Sequence, residues 1–308
     1  MMESEEKRGD KHTREFFTVM KVYINGSMVD EKNAKISVFD HGLLYGDGVF
    51  EGIRAYNGKV FKLEEHVDRL FRSAKAIALE IDKTPDQISS AVVDTCNANE
   101  INDGYIRLIV TRGVGTLGLN PYLCKESQIV IIASAIQLYP VELYEKGLSI
   151  VTVGTMRNHA EAINPRIKSL NYLNNVLAKI EAINSGVMEC IMLNPQGYVA
   201  EASGDNVFVV RGNTLSTPPS WCGALDGITR ATVMDLAVSA GYSVSEDVLT
   251  RYDLYTADEV FLTGTAAEII GVSDIDRRSI GDGRPGPVTL KLGEHFHAFA
   301  RENGTPIR

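Results

Sequence analysis

Lys168 lies in INPRIKSLNYLNNVL, between a proline-bearing extended run and a stretch in which Leu170, Leu173, Val176, Leu177, Ile180 and Ile183 recur at helical three-and-four spacing. That spacing predicts an amphipathic helix with these residues on one buried face and Lys168 at its mouth. An amine held at such a rigid, half-dry place loses its proton more readily than one in water, because burial disfavours the charged form. A neutral amine attacks carbonyl carbon. Taken alone, a lysine is more often a solvated surface charge, so the chemistry rests on partners elsewhere in the chain.

A carbonyl cofactor of the pyridoxal phosphate kind sets three further demands. Its phosphate wants backbone N–H groups at a helix start, with an arginine and hydroxyls. Gly227-Ile228-Thr229 offers the first cup, Gly264-Thr265-Ala266 a second, and Arg69 a charge. The ring nitrogen wants a carboxylate that keeps it protonated, and Glu201, inside the small-residue segment GYVAEASGDN, is the candidate. The phenolic oxygen could meet Tyr172, four residues after Lys168. Each residue also has a plainer use: a helix cap, a turn, a surface carboxylate, a packed aromatic, an exposed helix charge. Their joint presence in one chain favours the chemical use.

The elements that must position these groups read as α+β. Two hairpins turn at Asn25-Gly26 and Asn57-Gly58, the second between strands 49–56 and 59–63. A helix follows with apolar residues at 63, 67, 70, 71, 74, 77 and 78, and Arg69 lies beside that face. A second helix is predicted over 85–99, then long strands over 105–112 and 128–136. Periodicity stops over 137–147, which places an interdomain connection there. The second half carries strands over 148–153, 190–193, 206–211 and 243–247, a helix after Gly227, two strands around the turn at 264–266, and a C-terminal helix from Pro287. The expected organisation is a disordered leader over 1–15, a small α+β domain over 16–137, a loop over 138–147, and a large domain over 148–308 that carries Lys168.

The 308 residues allow two domains, and the 44% hydrophobic and 23% charged composition is that of an ordinary globular protein. A net charge of -9 argues against nucleic acid or an anionic membrane as partner, since both need a basic face. Cys96, Cys124, Cys190 and Cys222 lie far apart, and His295 and His297 point to different sides of a helix. No metal site is predicted, and reduced thiols in a cytoplasmic protein are the economical reading. No apolar run is long enough to span a bilayer.

The ordered motifs HGLLYGDGVFEGIR, EEHVDRLFRSAK, YIRLIVTRGVGTLGLNP, IKSLNYLNN, AEASGDNVF, GITR and ADEVFLTGTAAEI together resemble the fold-type IV pyridoxal-phosphate enzymes. Within them the chain is most similar to the branched-chain amino-acid aminotransferases, from Val22 to the C-terminal helix. The resemblance implies the two-domain fold of the D-amino-acid aminotransferase-like group. It implies that Lys168 bonds to pyridoxal 5'-phosphate as a Schiff base and then shuttles a proton. It pairs Glu201 with the ring nitrogen and Tyr172 with the phenolic oxygen, and gives the phosphate to Arg69, Gly227, Ile228, Thr229 and Thr265. By the same resemblance Phe50, Tyr105, Arg107, Thr265 and Ala266 line the substrate side, and Tyr45 enters from the partner subunit of a homodimer or larger homo-oligomer.

The implied substrates are Leu, Ile and Val with 2-oxoglutarate, in a ping-pong reaction. An apolar pocket that also admits a second carboxylate needs a cationic partner. Arg107 alternates with Tyr105 on one strand and so faces the same side. Thr111-Arg112-Gly113 is an element shared with D-amino-acid transaminases and aminodeoxychorismate lyases, in which Arg112 would receive a substrate carboxylate. The continuation VGTLGLNP resembles the branched-chain group and is weighted more heavily.

Overall fold

A computed structural model describes residues 19–135 and 139–308. The expected leader over 1–15, the 136 end of one strand and the 137–138 start of the connection lie outside the described residues.

Among the described residues the strands form two sheets, of seven and nine strands. The first contains β1 (Lys21–Ile24), β2 (Ser27–Asp30), β3 (Gly48–Tyr56), β4 (Lys59–Val60), β5 (Gly104–Thr111) and β6 (Gln128–Ser134). Asn25 (φ 50°) with Gly26 (φ 99°), and Asn57 (φ 49°) with Gly58 (φ 71°), make the left-handed pairs of tight hairpins, as their sequences predict. The returning strand stops at Val60 rather than at 63, because the chain turns left-handed at Lys62 (φ 53°) to open a helix. A short helix α1 (His41–Tyr45) precedes β3, and α2 (Leu63–Ala76) and α3 (Pro85–Ala98) cover one face of the sheet. Leu63, Val67, Leu70 and Ala74 of α2 are buried, and so are His66, Arg69 and Ser73. Thr84 and Gln87 close a capping box at the head of α3.

The expected connection contains helix α4 (Val141–Lys146), whose Leu143 and Tyr144 pack on the core of the second sheet. That sheet comprises β7 (Leu148–Thr152), β8 (Glu189–Leu193), β9 (Val199–Ala202), β10 (Asn206–Arg211), β11 (Thr214–Thr217), β12 (Ser243–Glu246), β13 (Glu259–Gly264), β14 (Glu268–Ile275) and β15 (Arg278–Ser279). Helices α5 (Leu173–Asn184), α6 (Ile228–Ser239), α7 (Arg251–Tyr255) and α8 (Pro287–Glu302) complete this half. The last strand, β16 (Thr305–Pro306), returns to pair with β4 in the first sheet. The 148–308 stretch therefore gives its final strand to the other half, and Phe61 meets Phe296 of α8 edge to face at 5.7 Å.

The helix after Lys168 corrects two expectations. It begins at Leu173, so Lys168 lies ahead of it, next to the Ser169 bridge to Val49, and not at its mouth. Its buried face is Asn175, Ala178 and Ala182, small enough to lie close on β8. Leu173, Val176, Leu177, Ile180 and Ile183 point outward, with Leu173 at 68% and Ile183 at 62% exposure. Periodicity locates an apolar stripe without saying which surface covers it.

Candidate active site

Lys168 is fixed by β3. The Phe50 N–H donates to its carbonyl at 2.9 Å, the Leu170 N–H donates to Gly48 O at 2.9 Å, and its own N–H donates to Ser73 Oγ at 3.2 Å. The half-buried side chain brings Nζ to 3.4 Å from Tyr172 Oη and 4.8 Å from the Phe50 ring centroid. Phe50 and Tyr172 meet edge to face at 4.9 Å, which orients the phenol beside the amine.

Glu201, on β9, is 5% exposed and held by three donors. Its Oε1 pairs with Arg157 Nη2 at 2.7 Å, and its Oε2 accepts from the Leu225 N–H at 2.9 Å and Asn206 Nδ2 at 3.3 Å. Arg157 also donates to Gly223 O at 3.1 Å and to Asn175 Oδ1 at 3.0 Å, so the carboxylate is braced from behind. A buried carboxylate needs such pairing to stay charged.

The third corner is the start of α6. No side chain caps this helix at Gly227, and Gly227, Ile228, Thr229, Arg69, Thr265 and Glu201 line one cavity with Lys168 and Tyr172. The first N–H groups of a helix lack internal partners and carry partial positive charge, which favours an anion. Thr263 Oγ1, in the same wall, is buried without a hydrogen-bond partner among the described residues. A Cβ at Gly264 would meet Asp205 Oδ1 at 1.9 Å, so any larger residue there requires that carboxyl to move. An amine, a phenol, a braced carboxylate and an anion cup around one cavity fit pyridoxal 5'-phosphate.

A second cavity of about 420 Å³ adjoins the first, within the roughly 300–1,000 Å³ usual for small ligands. Phe50, Tyr105, Arg107, Thr265 and Ala266 line it. Alternation along β3 and β5 sends Phe50, Gly52, Tyr105 and Arg107 to this side and Glu51 and Ile53 to the helices. Gly52 makes room for Tyr105, whose Oη would lie 2.1 Å from a Cβ there. Arg107 stacks 4.8 Å from the Phe50 ring and 5.3 Å from the Tyr105 ring, and pairs with no carboxylate among the described residues. Asp205 lines both cavities and is 6% exposed, and its carboxyl has no hydrogen-bond partner among the described residues. Burial, then the negative charge of Glu189, pushes that carboxyl up to about 7.

The two cavities thus gather every expected site residue except Tyr45. Tyr45 is on α1, half exposed, and its hydroxyl donates to the Leu117 carbonyl. Arg112 lines neither cavity, and four of its five donors are taken: Asp47 accepts from Nε at 3.0 Å and from Nη2 at 2.9 Å, the Ile77 carbonyl from Nη2 and the Ala78 carbonyl from Nη1. Sequence reasoning missed Arg157, Asn206, Leu225, Asp205, Glu51 and His66. Glu51 did leave a signal, a charge inside the apolar strand GVFEGIRAY. Arg157 left none.

Residues 48–275 match the family model of class IV amino-transferases. A Methanocaldococcus jannaschii protein with the provisional name branched-chain-amino-acid aminotransferase is 52% identical over 288 residues, covering 94% of this chain and 99% of its own. The crystal structure of the Escherichia coli branched-chain amino acid aminotransferase superposes with a TM-score of 0.90 at 36% identity, covering 93% of this chain and 96% of that one. The Thermobaculum terrenum branched-chain amino acid aminotransferase, solved in its PLP-form, gives 0.84 at 32% identity, covering 92% and 95%. The chain belongs to the class IV amino-transferases and, within them, to the branched-chain group.

Proposed function

We propose that this enzyme moves the amino group between the L-amino acids Leu, Ile and Val and 2-oxoglutarate, with pyridoxal 5'-phosphate as cofactor. The observation that carries the reading is the convergence of Lys168 Nζ, Tyr172 and Glu201 on one cavity that ends at the head of α6. When bound, the cofactor supplies an electron sink for the carbon being deprotonated. Lys168 would hold the cofactor covalently, and its amine, when free, would carry a proton to and from the substrate α-carbon. Glu201, braced by Arg157, keeps the proton on the ring nitrogen, and Tyr172 faces the phenolic oxygen. Gly227, Ile228, Thr229, Thr265 and Arg69 hold the phosphate.

Phe50, Tyr105 and Ala266 form the apolar side of the second cavity, and Arg107, free of acidic partners, takes the distal carboxylate of 2-oxoglutarate or glutamate. One cavity so built serves both half-reactions in turn. The outward stripe of α5, and the exposed Ile36, Val38, Phe39, Leu117 and Leu119 near Tyr45, are best covered by a second copy of the chain in a homodimer. Tyr45 then serves the partner's site. No helix among the described residues is long and apolar enough to cross a membrane, and the four free thiols fit the cytoplasm.

The test is spectroscopic. Purified enzyme with pyridoxal 5'-phosphate should show a cofactor absorbance that Lys168→Ala shifts, and should turn over L-leucine with 2-oxoglutarate. A spectrum identical in wild type and Lys168→Ala would sink the assignment.

A further inference from the structure

Behind the phosphate cup lies a buried cluster to which the cofactor chemistry assigns no task. Glu51 of β3 is 0% exposed. Its Oε1 accepts from Arg69 Nε at 2.8 Å, and its Oε2 accepts from Arg69 Nη2 at 2.7 Å and His66 Nδ1 at 2.8 Å. Arg69 Nη1 donates in turn to Asp226 O at 2.7 Å, the residue before the N-cap of α6. One carboxylate on the first sheet thus grips one arginine of α2, and that arginine grips the loop that opens the anion cup in the other half.

A merely structural role is a poor account of this placement. The strand around Glu51 is buried almost throughout, and three polar groups there carry a desolvation cost that apolar side chains of similar volume would avoid. The geometry has a directional result. A guanidinium has five N–H donors. Three are taken, by the two Glu51 oxygens and the Asp226 carbonyl, which leaves two. Those two are one on Nη1 and one on Nη2, and Arg69 is among the residues that line the cofactor cavity. The bidentate pair removes rotation about the guanidinium plane, so these donors are aimed before any anion arrives.

We propose that Glu51, steadied by His66, is a positioning residue for the cofactor phosphate, acting through Arg69; this rests on the reading that Arg69 holds that phosphate. Burial alone would raise the Glu51 carboxyl, but the charge and hydrogen bonds of Arg69, then those of His66, hold it down to about 2. The clamp is therefore intact across the whole neutral range.

The test compares apoenzyme affinity for pyridoxal 5'-phosphate with that for pyridoxal, which has the ring and carbonyl but no phosphate. In wild type the phosphate ester should bind far more tightly. Glu51→Gln should weaken it by about 10- to 100-fold, leave pyridoxal affinity within about twofold, and so shrink the ratio. Glu51→Asp, which keeps the charge and shortens the reach, should fall between them, and it gives the readout if Glu51→Gln does not fold. In an Arg69→Gln background, Glu51→Gln should weaken phosphate-ester binding no further. Equal losses for both ligands, or a full additional loss in that background, would show that Glu51 supports the fold only and overturn the proposal. Equal wild-type affinities for the two ligands would instead overturn the phosphate role of Arg69, and the proposal with it.

Discussion

The cofactor end and the substrate end of the site treat their charges in opposite ways. Arg69 is locked by two bonds to Glu51 and one to the Asp226 carbonyl, whereas Arg107 lies between aromatic rings with no acidic partner among the described residues. Their carboxylates differ likewise: Glu201 is held by a guanidinium and two N–H donors, while the Asp205 carboxyl lines the cavities with no hydrogen-bond partner among the described residues. A group whose ligand never changes gains from being oriented in advance. On the proposed reading Arg107 meets leucine in one half-reaction and glutamate in the other, and gains from being left free.

The sharpest break in that contrast is at Lys168, where both ends meet. Lys168→Ala should lower turnover by roughly 100- to 10,000-fold or more, with the far-ultraviolet circular dichroism unchanged. Glu201→Gln should slow both half-reactions by about 10- to 100-fold, the value of one charge-assisted hydrogen bond. Stopped-flow rates with L-leucine and with 2-oxoglutarate would reveal it, and wild-type rates would contradict the prearranged cofactor end. Arg107→Gln should raise KM for 2-oxoglutarate by a similar or smaller factor, about 10-fold, and change KM for L-leucine by less than about twofold. Equal changes for both would mean that Arg107 is structural.

The smallest effect concerns Asp205. Burial, then the charge of Glu189, pushes its folded carboxyl up to about 7 from an ordinary 3.8, so the fold favours the protonated form. That contribution is complete below the ordinary value and is lost as pH rises through about 7. Glu189, Lys179, Glu201 and Lys168 are the charges that face it. Apoprotein melting temperatures from pH 5 to 8 should fall on the order of a few degrees more in wild type than in Asp205→Asn. Parallel curves would contradict an unpaired Asp205.

What the sequence made legible follows the range of each interaction. The Asn-Gly hairpins, the apolar face of α2 and the alternation of Tyr105 with Arg107 are local, and periodicity or turn chemistry states them directly. Lys168, Glu201, Arg69 and the glycine-led turns at 227 and 264 could be read as an ordered set of motifs. The groups that brace them could not. Arg157 reaches Glu201 from a distant loop, and Asp205 is unusual only because no described residue pairs with its carboxyl. The stripe on α5 shows the same limit from the other side: its residues are apolar and regularly spaced, yet small Ala178 and Ala182 take the core and leave the stripe facing outward.

The most direct measurement is a single-turnover panel. Enzyme loaded with pyridoxal 5'-phosphate is mixed with L-leucine, L-isoleucine, L-valine, L-glutamate, D-alanine or D-glutamate, and the cofactor absorbance is followed to its amine form. The branched-chain L-amino acids and L-glutamate should convert it fastest, and added 2-oxoglutarate should restore the starting spectrum. Faster conversion by D-alanine than by L-leucine, or no conversion by any L-amino acid, would contradict a branched-chain transaminase.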